Sequence, residues 1–304
     1  MERKLVSAII TTHGRLELLK KAIQSVRVQT YPNIELIVVD DCSEDGTKNW
    51  AEQEKSFEYI YIPKSESKGG NYARNQGIIH STGEYIAFLD DDDTWEERKI
   101  EKQIDLIESN EKLGFVYCGY SLCNENGNIV KIVPDSQYRG DVSKKSLTYI
   151  LCTTSSLVVK RKILDQVGLF DENLKFWQET ELIIRLAQIS ETDFIPEPLM
   201  NYLQVQAKSD PERLSGKFDQ WLEAVEYINN KHKDLIQNLD EDEKKERQLL
   251  IYGDAANRCL MSGQMRKRRD YKKRIFKLEP SIKNFVAYFF GIDKQILRLK
   301  TKKL

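Results

Sequence analysis

The chain has 304 residues, 40% of them hydrophobic and 31% charged, a size and balance that suit one large globular domain with or without an appendage and exclude a disordered or fibrous chain. Its formal charge of −1 conceals an asymmetry: Met261–Leu304 carries 14 Lys/Arg against 3 Asp/Glu, a net +11, and the preceding 260 residues a net −12. The five cysteines (Cys42, Cys118, Cys123, Cys152 and Cys259) form no CxxC pair, which excludes a zinc site or disulfide framework and fits reduced thiols in the cytoplasm.

Met1-Glu-Arg-Lys leads directly into Leu5–Thr11 (LVSAIIT), a β-branched run, so no secretory leader is expected. Arg15–Val28 repeats apolar residues at helical spacing (Leu18, Leu19, Ala22, Ile23, Val26), and Pro32 closes that helix. Ile34–Val39 is a second strand ending in Asp40-Asp41, followed by a turn at Ser43–Gly46 and a helix over Thr47–Lys55. Phe57–Ile62 is a third strand, Lys64–Gly70 a polar loop, Asn71–His80 a helix and Gly83–Leu89 a fourth strand. Trp95 then opens a charged helical pattern. Leu113–Cys123 and Ile129–Val133 read as a hairpin turned at Asn124–Asn128. Val142–Leu151 reads as a helix, Thr154–Lys160 as a buried strand and Arg161–Val167 as a short helix stopped by Gly168. Helices are expected over Pro211–His232, Leu239–Leu260, Met265–Lys277 and Ser281–Ile292. Strand–helix alternation with continuous apolar strands predicts an α/β fold, a mostly parallel sheet with helices on both faces. No apolar window is long enough to cross a membrane.

Polar residues follow the strands at what becomes one crevice of such a sheet: Thr11, Thr12 and His13, then Asp40 and Asp41, then Asp90–Asp93. Four adjacent carboxylates repel one another, and a hard divalent cation such as Mg²⁺ or Mn²⁺ would relieve them. A solvated acidic turn is the plainer alternative. There is no GxGxxG after the first strand and no GxxxxGK[ST] anywhere, so neither a dinucleotide cofactor nor a P-loop is expected. Carboxylates with a metal, facing a diphosphate, is the reading that remains.

Several ordered stretches resemble a family 2 glycosyltransferase of the GT-A fold. They are Ser7–Thr47, Gly69–Ile78 (GGNYARNQGI), Gly83–Gln103 (GEYIAFLDDDDTWEERKIEKQ), Val167–Leu174 and Trp177–Ala187. The resemblance covers residues 1–210, divided into a nucleotide-binding half (1–110) and an acceptor-binding half (111–210), with 211–304 a helical, basic extension. It implies inverting transfer of a sugar from a nucleotide-sugar, UDP-linked by default, to a hydroxyl of a saccharide or lipid-linked acceptor in bacterial polysaccharide assembly. By that resemblance Thr11, Thr12, His13, Arg15, Asp40 and Asp41 surround the nucleotide. Gly70, Arg74 and Asn75 border the nucleotide–sugar pocket, and Asp91 faces the ribose or sugar. Asp92, with Asp90, would hold Mn²⁺ or Mg²⁺. Glu179 takes the general-base position, with Glu181 as the other candidate.

Three departures from the family pattern stand out. Thr11–Gly14 reads Thr-Thr-His-Gly where many members have Pro-Thr-Tyr-Asn. Glu179 is a Glu where Asp is usual, which moves the carboxylate out by one methylene. Tyr202–Ser215 contains no His, leaving Lys208 and Arg213 as cations near the phosphates. Specificity is expected around Ser136–Gly140 and Asn173–Trp177.

The basic carboxy-terminal segment, with Phe and Leu on the opposite helical face, reads either as a wet helical appendage or as peripheral contact with an anionic membrane. No nucleic-acid motif accompanies it, and the expected location is the cytoplasm, at the membrane's inner face in the second case. A sugar nucleotidyltransferase and a non-catalytic nucleotide-sugar binding module are the competing function classes.

Overall fold

The apolar run Val6–Thr12 forms strand β1 and is buried almost throughout, as a strand covered on both faces must be. The computed structural model describes residues 3–133, 138–203, 217–289 and 291. The chain divides into two compact units, one of Met1–Ser146 with Ile150–Gln206, the other of Leu147–Tyr149 with Ala207–Leu304.

In the first unit β1 leads to helix α1 (Leu16–Arg27), β2 (Ile34–Asp41), α2 (Thr47–Ala51), β3 (Glu58–Ile62), α3 (Gly70–His80) and β4 (Tyr85–Asp90). Then come β5 (Thr94–Trp95), α4 (Lys99–Glu108), β6 (Leu113–Cys123), β7 (Ile129–Val133) and α5 (Lys145–Thr148), whose last residues pass into the second unit. β8 (Val158–Lys160), α6 (Arg161–Val167), α7 (Gln178–Ala187) and β9 (Glu191–Leu203) complete it.

The described strands form one sheet in the order β3-β2-β1-β4-β8-β6-β9-β5, with β7 on β6. β1 to β4 are mutually parallel. β8 is antiparallel to both β4 and β6, so β6 and its parallel neighbour β9 run the same way as the first four. The mostly parallel α/β sheet expected from the alternation is therefore present. Alternation along β1 assigns its two faces. Ile10 packs in one core with Leu19 and Ile23 of α1 and Ile100 and Ile104 of α4. Ile9 faces α3, where Gly77 lies so close that any side chain would enter the van der Waals shell of Ile9.

Several boundaries differ from the sequence reading, beginning with the helix expected over Thr47–Lys55, which ends at Ala51 as α2. β9 is absent from that reading because Pro196 and Pro198 lie within it. The sheet accommodates them through shifts of register against β6, where Gly119 lets the backbone of Pro196 and Glu197 come close. Trp95 belongs to β5, and α4 starts only at Lys99, because Trp95 is buried with its indole N–H donating to the Ser155 carbonyl at 2.9 Å. The helix expected over Val142–Leu151 contracts to α5. The strand expected over Thr154–Lys160 opens as a 3₁₀ turn, Thr154–Ser156, before β8.

The second unit is helical: α8 (Phe218–Lys231), α9 (Lys233–Gln237), α10 (Glu241–Met261), α11 (Met265–Leu278) and α12 (Ile282–Phe289). Asp240 caps α10 through the Glu243 amide, and Glu243 returns the bond to Asp240, a reciprocal use of two otherwise orphaned donors. Gln204, Gln206, Lys208 and Arg213 of the His-free stretch Tyr202–Ser215, and the stretch after Gly291, lie outside the described residues, as do 136 and 137 of the loop expected to set specificity. No described helix is long and apolar enough to cross a membrane.

Candidate active site

Strand register assembles the site. Thr12 lies opposite Asp40, and Thr11 opposite Asp90, so three polar strand ends meet at the carboxyl edge where open α/β sheets bind ligands.

The acidic turn closes with the Asp93 amide donating to the Asp90 carbonyl at 3.0 Å, and its four carboxylates have different surroundings. Asp90 is half-buried and accepts from Arg74 Nη2 at 2.6 Å. Asp91 is fully buried and accepts from the Thr12 hydroxyl at 2.6 Å and from Arg15 Nε at 3.1 Å, with Arg15 Nη2 at 2.6 Å from its other oxygen. Burial pushes its carboxyl up to about 7 against the opposing pull of Arg15 and Thr12. Asp92 is half-buried, with Arg15 Nη1 3.1 Å away. Asp93 is buried, accepting from the Ser155 hydroxyl at 2.6 Å and the Leu203 amide at 3.1 Å. Burial, then the charges of Asp92 and Asp90, raise it well above the carboxylate range.

One oxygen each from Asp90, Asp92 and Asp93 lies within 4.8 Å of the others. Three hard oxygen donors converging at a half-buried corner fit a divalent cation. Asp90 and Asp92 are thus brought together as the sequence suggested. Asp93 joins them, and its only signal in the sequence was membership of the run.

The loops after β1 and β2 meet beside the turn, the Gly14 amide donating to the Ser43 hydroxyl at 2.7 Å. Asp41 is 8% exposed, and among the described residues its buried Oδ1 has no hydrogen-bond partner. A buried acceptor left so costs about 1–3 kcal/mol, which a ligand N–H would return. The exposed His13 hydrogen-bonds through Nδ1 to the Asp41 carbonyl. Cys42 Sγ lies 3.8 Å from the same nitrogen, and Cys42 holds a left-handed φ of 57°. Asp40 is different in kind: it accepts from the Ser43 amide at 2.9 Å and from the Tyr59 hydroxyl at 2.7 Å. Both its oxygens fasten the loop instead of facing a ligand.

Helix α3 carries the next group. Gly70 lies against Arg74, where a Cβ would stand 3.2 Å from Nη1. Arg74 is buried and also donates from Nη1 to Gln178 Oε1 at 2.8 Å, so one guanidinium joins the acidic turn to the start of α7. Asn75 turns the other way, binding the backbone of Phe170 through both ends of its amide at 2.9 and 3.0 Å and Glu172 at 3.0 Å. Asn71 holds the carbonyls of Asp171 and Leu174 at 2.7 and 3.1 Å. The two asparagines therefore shape the loop that precedes α7. Ser155 emerges only from the structure; Gln178 lies within the Trp177–Ala187 stretch, but its bond to Arg74 was not legible there.

Trp177, directly before α7, has φ 53°, a conformation costing a bulky residue about 1–3 kcal/mol. The two acids that follow diverge. Glu179 is half-buried in the first helical turn. Glu181 is fully buried, and its oxygens accept from Arg185 at 2.8 to 3.1 Å. Arg185 in turn holds the carbonyls of Val167, Gly168 and Leu169. Glu181 thus anchors the end of α6 through Arg185.

Comparison with known proteins gives a consistent result. The model of the family described as glycosyl transferase family 2 matches residues 7–168, just over half of the chain. An uncharacterised glycosyltransferase of Rickettsia typhi is 34% identical over 202 residues, 64% of this chain and 63% of that protein. TuaG of Bacillus subtilis, named for teichuronic acid biosynthesis, is 36% identical over 157 residues, 50% of this chain and 61% of that one. The match therefore spans a little under two thirds of the length of either relative. Among solved structures, S. aureus TarS 1–349 with UDP-GlcNAc superposes with a TM-score of 0.62 at 16% identity, over 91% of this chain and 82% of that one. The mannosyltransferase PcManGT of Pyrobaculum calidifontis, with GDP-Man and Mn²⁺, gives 0.61 at 17% identity, over 98% and 81%. At such identities the likeness is one of fold.

Proposed function

This chain belongs to glycosyl transferase family 2, with the GT-A architecture of its structural neighbours, and on that premise we propose that it transfers a sugar with inversion from a nucleotide-sugar to an acceptor hydroxyl. The acceptor is a saccharide or a lipid-linked saccharide of bacterial polysaccharide assembly, and the proposed location is the cytoplasm. The observation that carries the reading is Arg74, which binds Asp90 of the acidic turn and Gln178 beside Glu179 at once. That double contact supports a reading in which donor and base chemistry share one corner of the sheet.

The residues then divide the work. Asp41 Oδ1, buried and without a partner among the described residues, accepts an N–H from the base, which suits uracil. His13 is a flat ring beside it, and such rings stack on bases. Thr11 lines the cleft between these loops and the acidic turn. Thr12 and Arg15 pin Asp91, which is fully buried and so braces the acidic turn from behind instead of reaching the ribose or sugar, and Arg15 leaves cationic character near the diphosphate. Asp40, Asn75 and Gly70 act at one remove, by fixing the base loop, the acceptor loop and Arg74 respectively. Asp92 and Asp90, with Asp93 behind them, would hold Mn²⁺ or Mg²⁺, which when bound offsets the charge growing on the departing diphosphate. Glu179 takes the proton of the attacking hydroxyl. Its neighbour Glu181, buried against Arg185, is left a structural part.

The test is sugar transfer and donor hydrolysis by Glu179→Gln and Asp92→Asn, each compared with the parent chain. Loss of transfer in both, with the folded spectrum retained, supports the assignment. Unchanged transfer in either variant removes that residue from the mechanism.

A further inference from the structure

The second unit has a surface that sugar transfer does not use. Helix α11 carries eight Lys/Arg against one acid, Asp270. Arg266, Arg269, Lys273 and Lys277 recur at helical spacing, so they share one face, and all four are exposed. Among the described residues none of them makes an ion pair. α12 folds back along α11: Phe276 meets Phe285 and Phe289 with ring centroids 5.9 and 6.4 Å apart, and Arg269 lies 5.7 Å over the ring of Tyr288.

The outer side of this hairpin is apolar where solvent would favour polar residues. Ile282 is 85% exposed, Phe285 40% and Phe289 48%, and their spacing of three and four aligns them on one stripe. Arg269 and Phe276 tie the two stripes into one surface, since each belongs to α11 and touches the aromatic group of α12. Beyond Gly291 the sequence adds five more Lys/Arg and one Asp.

We propose that the α11–α12 hairpin docks on an anionic lipid surface. The basic stripe meets the headgroups, and Ile282, Phe285 and Phe289 enter the boundary between headgroups and acyl chains. Charge alone would suit any polyanion. The adjoining exposed aromatic stripe selects a lipid surface, because an interfacial helix binds by buried apolar area and by attraction to anionic headgroups together. The inference does not depend on the assignments at the acidic turn.

The experiment is sedimentation of the full chain with vesicles of phosphatidylcholine alone or mixed with phosphatidylglycerol. The expected result is binding to the mixed vesicles only, weakening as salt rises. A basic side chain near an anionic surface changes affinity by about fivefold, so replacing Arg266, Arg269, Lys273 and Lys277 by Gln should weaken binding by roughly 600-fold. The double variant Phe285→Ser/Phe289→Ser keeps every charge and should also lose binding. All these positions are exposed, and a melting curve checks that each variant folds. Equal binding to neutral vesicles, or none to either, overturns the proposal. So does unaltered binding by the double Phe variant together with equally good capture by soluble polyphosphate, which would make the face a general polyanion site. A dimer that the double Phe variant abolishes, in a chain that ignores vesicles, would assign the stripe to a second copy instead.

Discussion

Glu179 and Glu181 lie two positions apart on α7 and meet opposite surroundings. The first is partly open at the helix start, and the second is sealed against Arg185. Removing a general base typically lowers the rate by about 10²–10⁴-fold, so Glu179→Gln should lose transfer in an activity assay while melting as the parent does. Glu181→Ala should do the reverse in kind. Breaking a buried ion pair by deleting one partner costs about 3–5 kcal/mol, and a thermal melt should register it even without donor. Sequence pattern named both residues but could not separate them, since burial is a tertiary property. The same limit applied to the four aspartates. Their number and place were legible, but not that Arg15 would claim Asp91, or that Ser155 and Leu203 would claim Asp93.

At the scale of elements, the early strands and helices followed their periodicity closely, because β1, β2 and β4 are unbroken apolar runs. β9 did not, because its two prolines argue against a strand and only the neighbouring Gly119 makes room for it. α3 depends on a similar concession at Gly77. Gly77→Ala would push the helix off Ile9, and Arg74 and Asn75 ride on that helix. A weakened donor affinity is expected, although Gly77 touches no ligand, and titration with the nucleotide would measure it. Within α4, Lys99 is fully buried, donating to Gln103 at 2.6 Å with its ammonium 4.2 Å from the Trp95 ring. Burial brings its pKa down from 10.5 to about 8. Between those values the unfolded chain keeps a proton that the folded chain has shed, so stability rises with pH across that window. Below it both states are protonated and the cost of the buried charge is fully present. Lys99→Met should lack this rise, and urea unfolding of both chains at either end of the window would reveal the difference.

At the scale of the molecule, charge is unevenly distributed along the chain, −12 before Met261 and +11 after it. That division was visible in composition alone, whereas the pairing of the basic stripe with exposed aromatics required the hairpin. Donor binding is a property of the whole fold as well. A ligand at about a hundred times its dissociation constant adds about 2.7 kcal/mol to stability. UDP-sugars with Mn²⁺ should therefore raise the melting temperature, and EDTA should abolish the rise. A shift with GDP-sugars alone would reassign the base bound beside Asp41.

Arg74 has a consequence for engineering. The loop from Phe170 to Trp177 invites replacement by anyone wishing to change which hydroxyl is glycosylated. Yet that loop is stitched to α3 through Asn71 and Asn75, and α3 holds the acidic turn through the same Arg74 that grips Gln178. Grafting a foreign loop would therefore retune the donor side along with the acceptor, so the two specificities are inherited as a pair.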